Sequence, residues 1–196
     1  MENVKVALWG FGAMGSGIAK VLLRKKGVDI VGVCDIHPAR VGKSIYELLD
    51  IERGEHPDVC VNPNIEEVVH DGNCDICVIA TDSFTRKAFS KIKYVVEQNI
   101  NVVSTAEEMS FPMAQEPELA AEMDKLAKEH GVSILGTGIN PGLMMDLLAI
   151  CLSGCMTDVE KVTCRRVNSL SPFGPAVMEE QGVGLTVDAF NKGVQD

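Results

Sequence analysis

Aromatic residues are scarce in this chain, one Trp, two Tyr and six Phe among 196 residues, and no apolar run approaches the roughly 18 residues that span a bilayer. A membrane-spanning helix is thereby excluded. No signal-peptide core follows the opening Met-Glu-Asn, so the cytoplasm is the expected compartment. Positive charge is short too: 18 Lys and Arg against 28 Asp and Glu give a formal net charge of -10. The basic residues are dispersed, which argues against a nucleic-acid partner or an anionic membrane surface. The four histidines (His37, His56, His70, His130) lack ligand spacing, and no metal is expected. Cysteine is present as an odd number, seven, which in a cytosolic protein reads as reduced thiols. Cys74 and Cys77 have CxxC spacing but enter a strand rather than open a helix, and there is no second CxxC. Cys151 and Cys155 read as core thiols of an apolar helix.

What is present is a dinucleotide fingerprint. The apolar run Val4 to Trp9 ends in Gly10-Phe11-Gly12-Ala13-Met14-Gly15, a strand followed by GxGxxG. The first glycine permits a tight turn, the second lets a pyrophosphate approach the backbone, and the third lets the next helix pack on the strand. No Walker lysine follows, so a mononucleotide P-loop fits less well. Ile18, Val21 and Leu22 recur at helical spacing, and a second strand, Ile30 to Cys34, ends at Asp35, 20 residues past Gly15. An acid there accepts hydrogen bonds from the adenosine ribose and favours NAD. Arg40 lies near enough in sequence to meet a 2'-phosphate, so NADP use stays open. Ala80 and Thr81, at the end of the fourth strand, complete the expected cofactor contacts.

Short apolar runs alternating with helical patterns indicate a doubly wound parallel sheet, a Rossmann α/β fold. Strands are expected at Val4 to Trp9, Ile30 to Cys34, Val59 to Val61, Ile76 to Ala80, Val102 to Ser104 and Ser133 to Leu135. Helices are expected over Arg86 to Gln98 and Met113 to His130. Next comes a helix from Pro141 to Leu152, with Asn140 as N-cap and Pro141 in its first turn. Being apolar nearly all round, it should be buried, with Asp146 as a buried carboxylate. Val159 to Val167 alternates like a strand, a Ser/Pro/Gly loop follows, and a helix starts near Val187. One strand and one helix do not make a core. The expected organisation is therefore a dinucleotide-binding domain over 1–156 and, over 157–196, the beginning of an α+β substrate and dimerisation domain, as in an amino-terminal portion of a longer enzyme.

Taken together, Gly10 to Gly15, Asp35, Ile79-Ala80-Thr81-Asp82, Ser104-Thr105-Ala106-Glu107-Glu108 and Gly136-Thr137-Gly138-Ile139-Asn140-Pro141-Gly142 resemble the dihydrodipicolinate-reductase-like dehydrogenases. The resemblance runs the length of the chain, through Cys164-Arg165-Arg166-Val167. It implies an NAD(P)-dependent oxidative deamination of a small diamino acid in ornithine breakdown, with release of ammonia, by a homodimer. Two departures narrow this. The His-His and Lys cluster of true dihydrodipicolinate reductases is absent, as is the strand-five lysine of homoserine dehydrogenases. The Asn140-Pro141-Gly142 turn is similar to the Asp-Pro-Gly turn of meso-diaminopimelate dehydrogenase.

An ammonium must lose a proton before hydride can leave its carbon, so a carboxylate at the strand ends suits the chemistry. Glu107 is the first candidate, Asp82 the second, and Asn140 is placed to orient substrate or the nicotinamide carboxamide. Glu108 lies beside them, and Arg165 or Arg166 is placed to pair with a substrate carboxylate. The alternatives are an imine or aldehyde reductase of amino-acid biosynthesis and a non-catalytic dinucleotide-binding module.

Overall fold

In the computed structural model, residues 2–170, 178 and 181–193 are described. The Ser/Pro/Gly loop expected after Val167 lies mostly outside them. The chain divides into two compact units, Met1–Val162 and Thr163–Asp196.

The first unit alternates strand and helix: β1 (Val4–Trp9), α1 (Ala13–Leu22), β2 (Val28–Cys34), α2 (Ile45–Leu49), β3 (Val61–Asn62), α3 (Ile65–Val68), β4 (Ile76–Ile79), α4 (Thr85–Glu97), β5 (Asn101–Ser104), α5 (Pro117–His130), β6 (Ile134–Gly136) and α6 (Leu148–Ser153). All six strands are parallel, in the order β3-β2-β1-β4-β5-β6. Chain direction across the sheet reverses between β1 and β4, the switch point where open α/β sheets bind ligands. In register, Trp9 is level with Cys34 and Ile79, and Ile79 with Ser104. Gly10, Asp35, Ala80 and Thr105 are therefore the first residues beyond one common edge.

Period-two alternation sends each strand's side chains to two cores. On one face Val6, Leu8, Ile30, Val33 and Val78 pack with Ala19 of α1 and Ile45, Tyr46 and Leu49 of α2. On the other, Ala7, Cys77, Ile79 and Val102 pack with Ile92, Val95 and Val96 of α4 and Met123 of α5. Leu8, Ile79 and Ile92 are almost wholly withdrawn from water, each contributing about 1.5–3 kcal/mol. Trp9 meets Tyr94 edge to face at 6.0 Å. Short polar side chains start two of the helices: Ser44 accepts from the Tyr46 N–H of α2, and Asn64 from the Glu66 N–H of α3.

Several sequence expectations are corrected. β3 is displaced to Val61–Asn62, with Cys60 only bridging Ser44, and α5 starts at Pro117, because Glu107–Ser110 and Pro112–Ala114 form 3-10 turns. Asn140 is not an N-cap and Pro141 not a first-turn residue. The wide helical segment Ile139–Leu147 that leads into α6 has non-helical backbone at Asn140, Pro141 and Gly142, with a cis Asn140–Pro141 bond. Nor is this segment buried: Leu147 is 54% and Ile150 68% exposed. Asp146, expected in the interior, is exposed and accepts the Gly142 N–H at 2.7 Å. Cys151 and Cys155 are exposed rather than core thiols.

In the second unit α7 (Val187–Gly193) forms as expected, and Thr186 caps it by accepting from the Ala189 N–H. The expected strand over 159–167 does not form; these residues straddle the division between the units and pair with no strand among the described residues. Among the described residues no helix is long and apolar enough to cross a membrane.

Candidate active site

The β1–α1 turn is shaped by contacts that only glycine tolerates. Gly10 has φ +99, and a Cβ there would lie 2.7 Å from the Ala80 carbonyl oxygen and 2.8 Å from the Thr81 methyl. A Cβ on Gly15 would collide with the Gly10 carbonyl, so the first turn of α1 sits directly against the strand end. Gly12 differs: its backbone (φ -71, ψ -158) suits any residue, and a Cβ there meets no protein atom within 4 Å. Packing within this chain does not require glycine at that position. Close approach of a pyrophosphate would, and α1 begins there with no side-chain cap and no acid in its first turn. Phosphates bind at such helix starts. Ala13 and Met14 stand exposed on this turn, whereas Phe11 is buried at 2% exposure and secures it.

Asp35 locks the turn to β2. Its Oδ2 accepts the Phe11 N–H at 2.6 Å, its Oδ1 accepts the His37 N–H at 2.8 Å, and Arg40 donates to both oxygens at 3.2 and 3.3 Å. Burial pushes this carboxyl up. The two backbone N–H groups and the Arg40 charge outweigh burial and hold it below its ordinary value. The expected Asp35 and Arg40 pair is thus assembled at the end of β2, but as an ion pair whose acid already serves the glycine turn. Sequence spacing located both residues. The Phe11 bond, reaching across 24 positions, left no signal in the spacing.

Asp82 follows β4. Its Oδ2 accepts Lys91 Nζ at 2.6 Å and the Thr81 hydroxyl at 2.5 Å. Burial again raises the carboxyl, and the bonds from Lys91 and Thr81, with the charges of Lys91 and Lys87, more than reverse it. Asp82 is held as an anion by a resident cation, which makes it a poor proton acceptor. Lys91 was missed in the sequence. It lies one and a half turns into α4, where a lysine ordinarily reads as surface charge.

Beyond β5 the two adjacent glutamates part company. Glu108 Oε2 accepts the Thr85 N–H at the start of α4 at 2.8 Å, while Glu107 is exposed and its side chain has no hydrogen-bond or ion-pair partner among the described residues. Asn140 is half-buried after β6, in extended backbone (φ -164, ψ 114). Topology therefore brings Gly10–Gly15, Asp35, Thr81, Asp82, Glu107 and Asn140 to one edge of the sheet. Arg165 and Arg166 lie in the second unit, exposed and in no strand. Among the described residues no three His, Cys, Asp or Glu side chains cluster as metal ligands.

A doubly wound sheet with a ligand-ready glycine turn at its switch point is the architecture of dinucleotide-dependent oxidoreductases. A model of the oxidoreductase family with the NAD-binding Rossmann fold matches residues 4–137, and the chain belongs to that family. Residues 143–196 match the C-terminal domain of 2,4-diaminopentanoate dehydrogenase. The whole chain is 59% identical to 2,4-diaminopentanoate dehydrogenase of Acetoanaerobium sticklandii, of which it covers 55%. Over 177 residues, 87% of the chain, it is 25% identical to an amine dehydrogenase of Streptomyces virginiae, covering 47% of that protein. In structure it superposes on an amine dehydrogenase from Mycobacterium smegmatis with a TM-score of 0.80 at 32% identity, over 100% of this chain and 56% of the other. The chain thus spans about half the length of these relatives.

Proposed function

We propose that the intact enzyme carrying this segment oxidises 2,4-diaminopentanoate to 2-amino-4-oxopentanoate and ammonia with NAD(P). The observation that carries the reading is the Glu107 carboxylate at the sheet edge that holds the glycine turn, without a partner among the described residues while its neighbouring acids are engaged. The 59% identity to a dehydrogenase of that substrate supports the choice of diamine.

In this reading Gly10, Phe11, Gly12, Ala13, Met14 and Gly15 cradle the cofactor pyrophosphate, with Ala80 and Thr81 alongside. Asp35 faces the adenosine ribose. Arg40 moves off Asp35 to admit the hydroxyls of NAD or pairs with the 2'-phosphate of NADP, so both cofactors are usable with NAD modestly favoured. The bound nicotinamide supplies a hydride acceptor. Glu107 takes one proton from the substrate ammonium, leaving the neutral amine from which hydride departs. Water then adds to the imine carbon, and collapse of the resulting aminol expels ammonia and leaves the ketone. Asn140 orients the substrate or the nicotinamide carboxamide. The same reading takes residues 1–156 as the dinucleotide domain, 157–196 as the start of the substrate domain, and the enzyme as a cytoplasmic homodimer.

The test is steady-state NAD(P) reduction with 2,4-diaminopentanoate, ornithine and meso-diaminopimelate as competing substrates. Glu107→Gln should lower kcat/KM about 10²-fold or more, the scale of a positioned general base. Activity confined to another amine, or undiminished activity in Glu107→Gln, defeats the reading.

A further inference from the structure

Helix α4 begins without a cap of its own. Phe84 occupies the position before Thr85; its carbonyl accepts the Lys87 and Ala88 N–H groups, but its side chain has no acceptor for the earlier ones. The acceptor arrives from 23 residues downstream, where Glu108 Oε2 takes the Thr85 N–H at 2.8 Å. The same residue's N–H donates to the Ser83 carbonyl at 3.2 Å, and the Thr105 N–H donates to the Ile79 carbonyl at 3.0 Å. Two further contacts complete the fixing of this segment. The Met109 main chain lies so close to Gly136 that a Cβ there would collide with the Met109 carbonyl. At the far end Arg86 of α4 forks onto Glu116 with bonds of 2.8 and 2.7 Å. Residues 104–116 are therefore held to β4, α4 and β6 along their length, and Glu107 projects from this strap into solvent.

We propose that Glu108 is a positioning residue for the deamination: by bonding the start of α4 it fixes the backbone that presents the neighbouring Glu107 to the substrate amine. This rests on the reading of Glu107 as proton acceptor. Adjacent acids of one type thus have opposite assignments, and chemistry separates them. Glu108 acts through an acceptor oxygen that a neutral amide also has. Glu107 acts through a basic oxygen pair that an amide lacks.

The experiment compares Glu108→Ala, Glu108→Gln and Glu107→Gln in the intact enzyme, measuring kcat and KM for 2,4-diaminopentanoate across pH, with thermal melting as a fold control. Glu108→Ala should lower kcat about 10- to 100-fold with little change in KM, the scale of a displaced catalytic group. Glu108→Gln should recover to within about threefold of wild type with an unshifted pH profile, because its amide oxygen still accepts the Thr85 N–H. Glu107→Gln should stay depressed. The proposal is overturned if Glu108→Gln, melting normally, is as inactive as Glu107→Gln, which would make Glu108 the proton carrier, or if Glu108→Ala keeps the wild-type kcat. Wild-type enzyme that fails to reduce NAD(P) when given 2,4-diaminopentanoate defeats the deamination reading itself, an outcome separate from either.

Discussion

Replacing Gly12 by alanine should leave the fold intact and weaken dinucleotide binding, whereas the same change at Gly15 should damage the fold. At Gly12 the backbone already lies in a region open to every L residue, and the added methyl touches no protein atom. Losing a favourable N-cap costs about 0.5–1 kcal/mol. Stiffening the unfolded chain returns about 0.4–1 kcal/mol. The net change stays below about 1 kcal/mol, which for a chain of this size moves Tm by no more than about 2–4 °C. At Gly15 the methyl must displace the Gly10 carbonyl, and Gly10 is tied to β2 by its N–H bond to the Cys34 carbonyl at 2.8 Å. Overpacking of that kind costs about 1–3 kcal/mol, or a Tm fall of about 2–12 °C. The cofactor measurement reverses the order of interest. Gly12→Ala places its methyl where the pyrophosphate must lie, so NAD and NADP should each bind at least about tenfold more weakly, a loss of about 1.4 kcal/mol. Scanning fluorimetry and titration calorimetry read the two quantities separately. A Gly12→Ala protein that melts normally and binds both cofactors as tightly as wild type would remove the phosphates from this turn.

Asp35 gives a pH signature. Its carboxyl is lowered in the folded state, so its stabilisation is fully present above the unfolded value of about 3.9 and is lost as pH falls through the folded value. Urea unfolding of wild type and Asp35→Asn should therefore differ by about 1–3 kcal/mol, as for bonds to a charged group, throughout the range above pH ~5, and converge in stronger acid; a gap that widens on acidification contradicts the assignment. Asp35→Ala should in addition shift the NAD to NADP affinity ratio towards NADP, and an unaltered ratio removes Asp35 from the ribose. Thr85 is fully buried with a hydroxyl that finds no hydrogen-bond partner among the described residues. Thr85→Val should therefore be neutral or stabilising by about 1 kcal/mol in the same unfolding assay, and a loss of more than about 1 kcal/mol would mean that the hydroxyl has a partner in solution.

The sheet was legible because its strands are short apolar runs between turn signals, and burial on both faces makes such runs the direct record of a parallel sheet. β3 was legible only roughly, since two residues leave almost no periodicity to read. The alternation over 159–167 misled for a different reason: it states which side chains would share a face, while a strand also needs a neighbour for its backbone. Burial over 141–152 misled because an apolar surface on every side of a helix calls for a partner without locating it. Here the helix stands exposed, and it falls within residues 143–196, which match a C-terminal domain family.

The sequence put Glu107 ahead of Asp82 by residue type and place alone, and the structure adds the partners that distinguish the site's carboxylates. Asp35, Asp82 and Glu108 are each bonded to donors that the fold supplies from far along the chain: Phe11 to Asp35, Lys91 to Asp82, Thr85 to Glu108. The bonds hold the carboxyls of Asp35 and Asp82 below their ordinary values, which disfavours taking up a proton, and the Thr85 bond fixes Glu108 in place. Pairing also lowers the local demand for counter-charge, so these acids can crowd one edge of the sheet without mutual repulsion opening it. Among the described residues Glu107 is left without such a donor, which is why the proposed function gives it, rather than its neighbours, the substrate ammonium. Those contacts lie 9 to 24 residues apart in sequence, which is why motif spacing could gather the acids at the site but could not show which of them are already bonded.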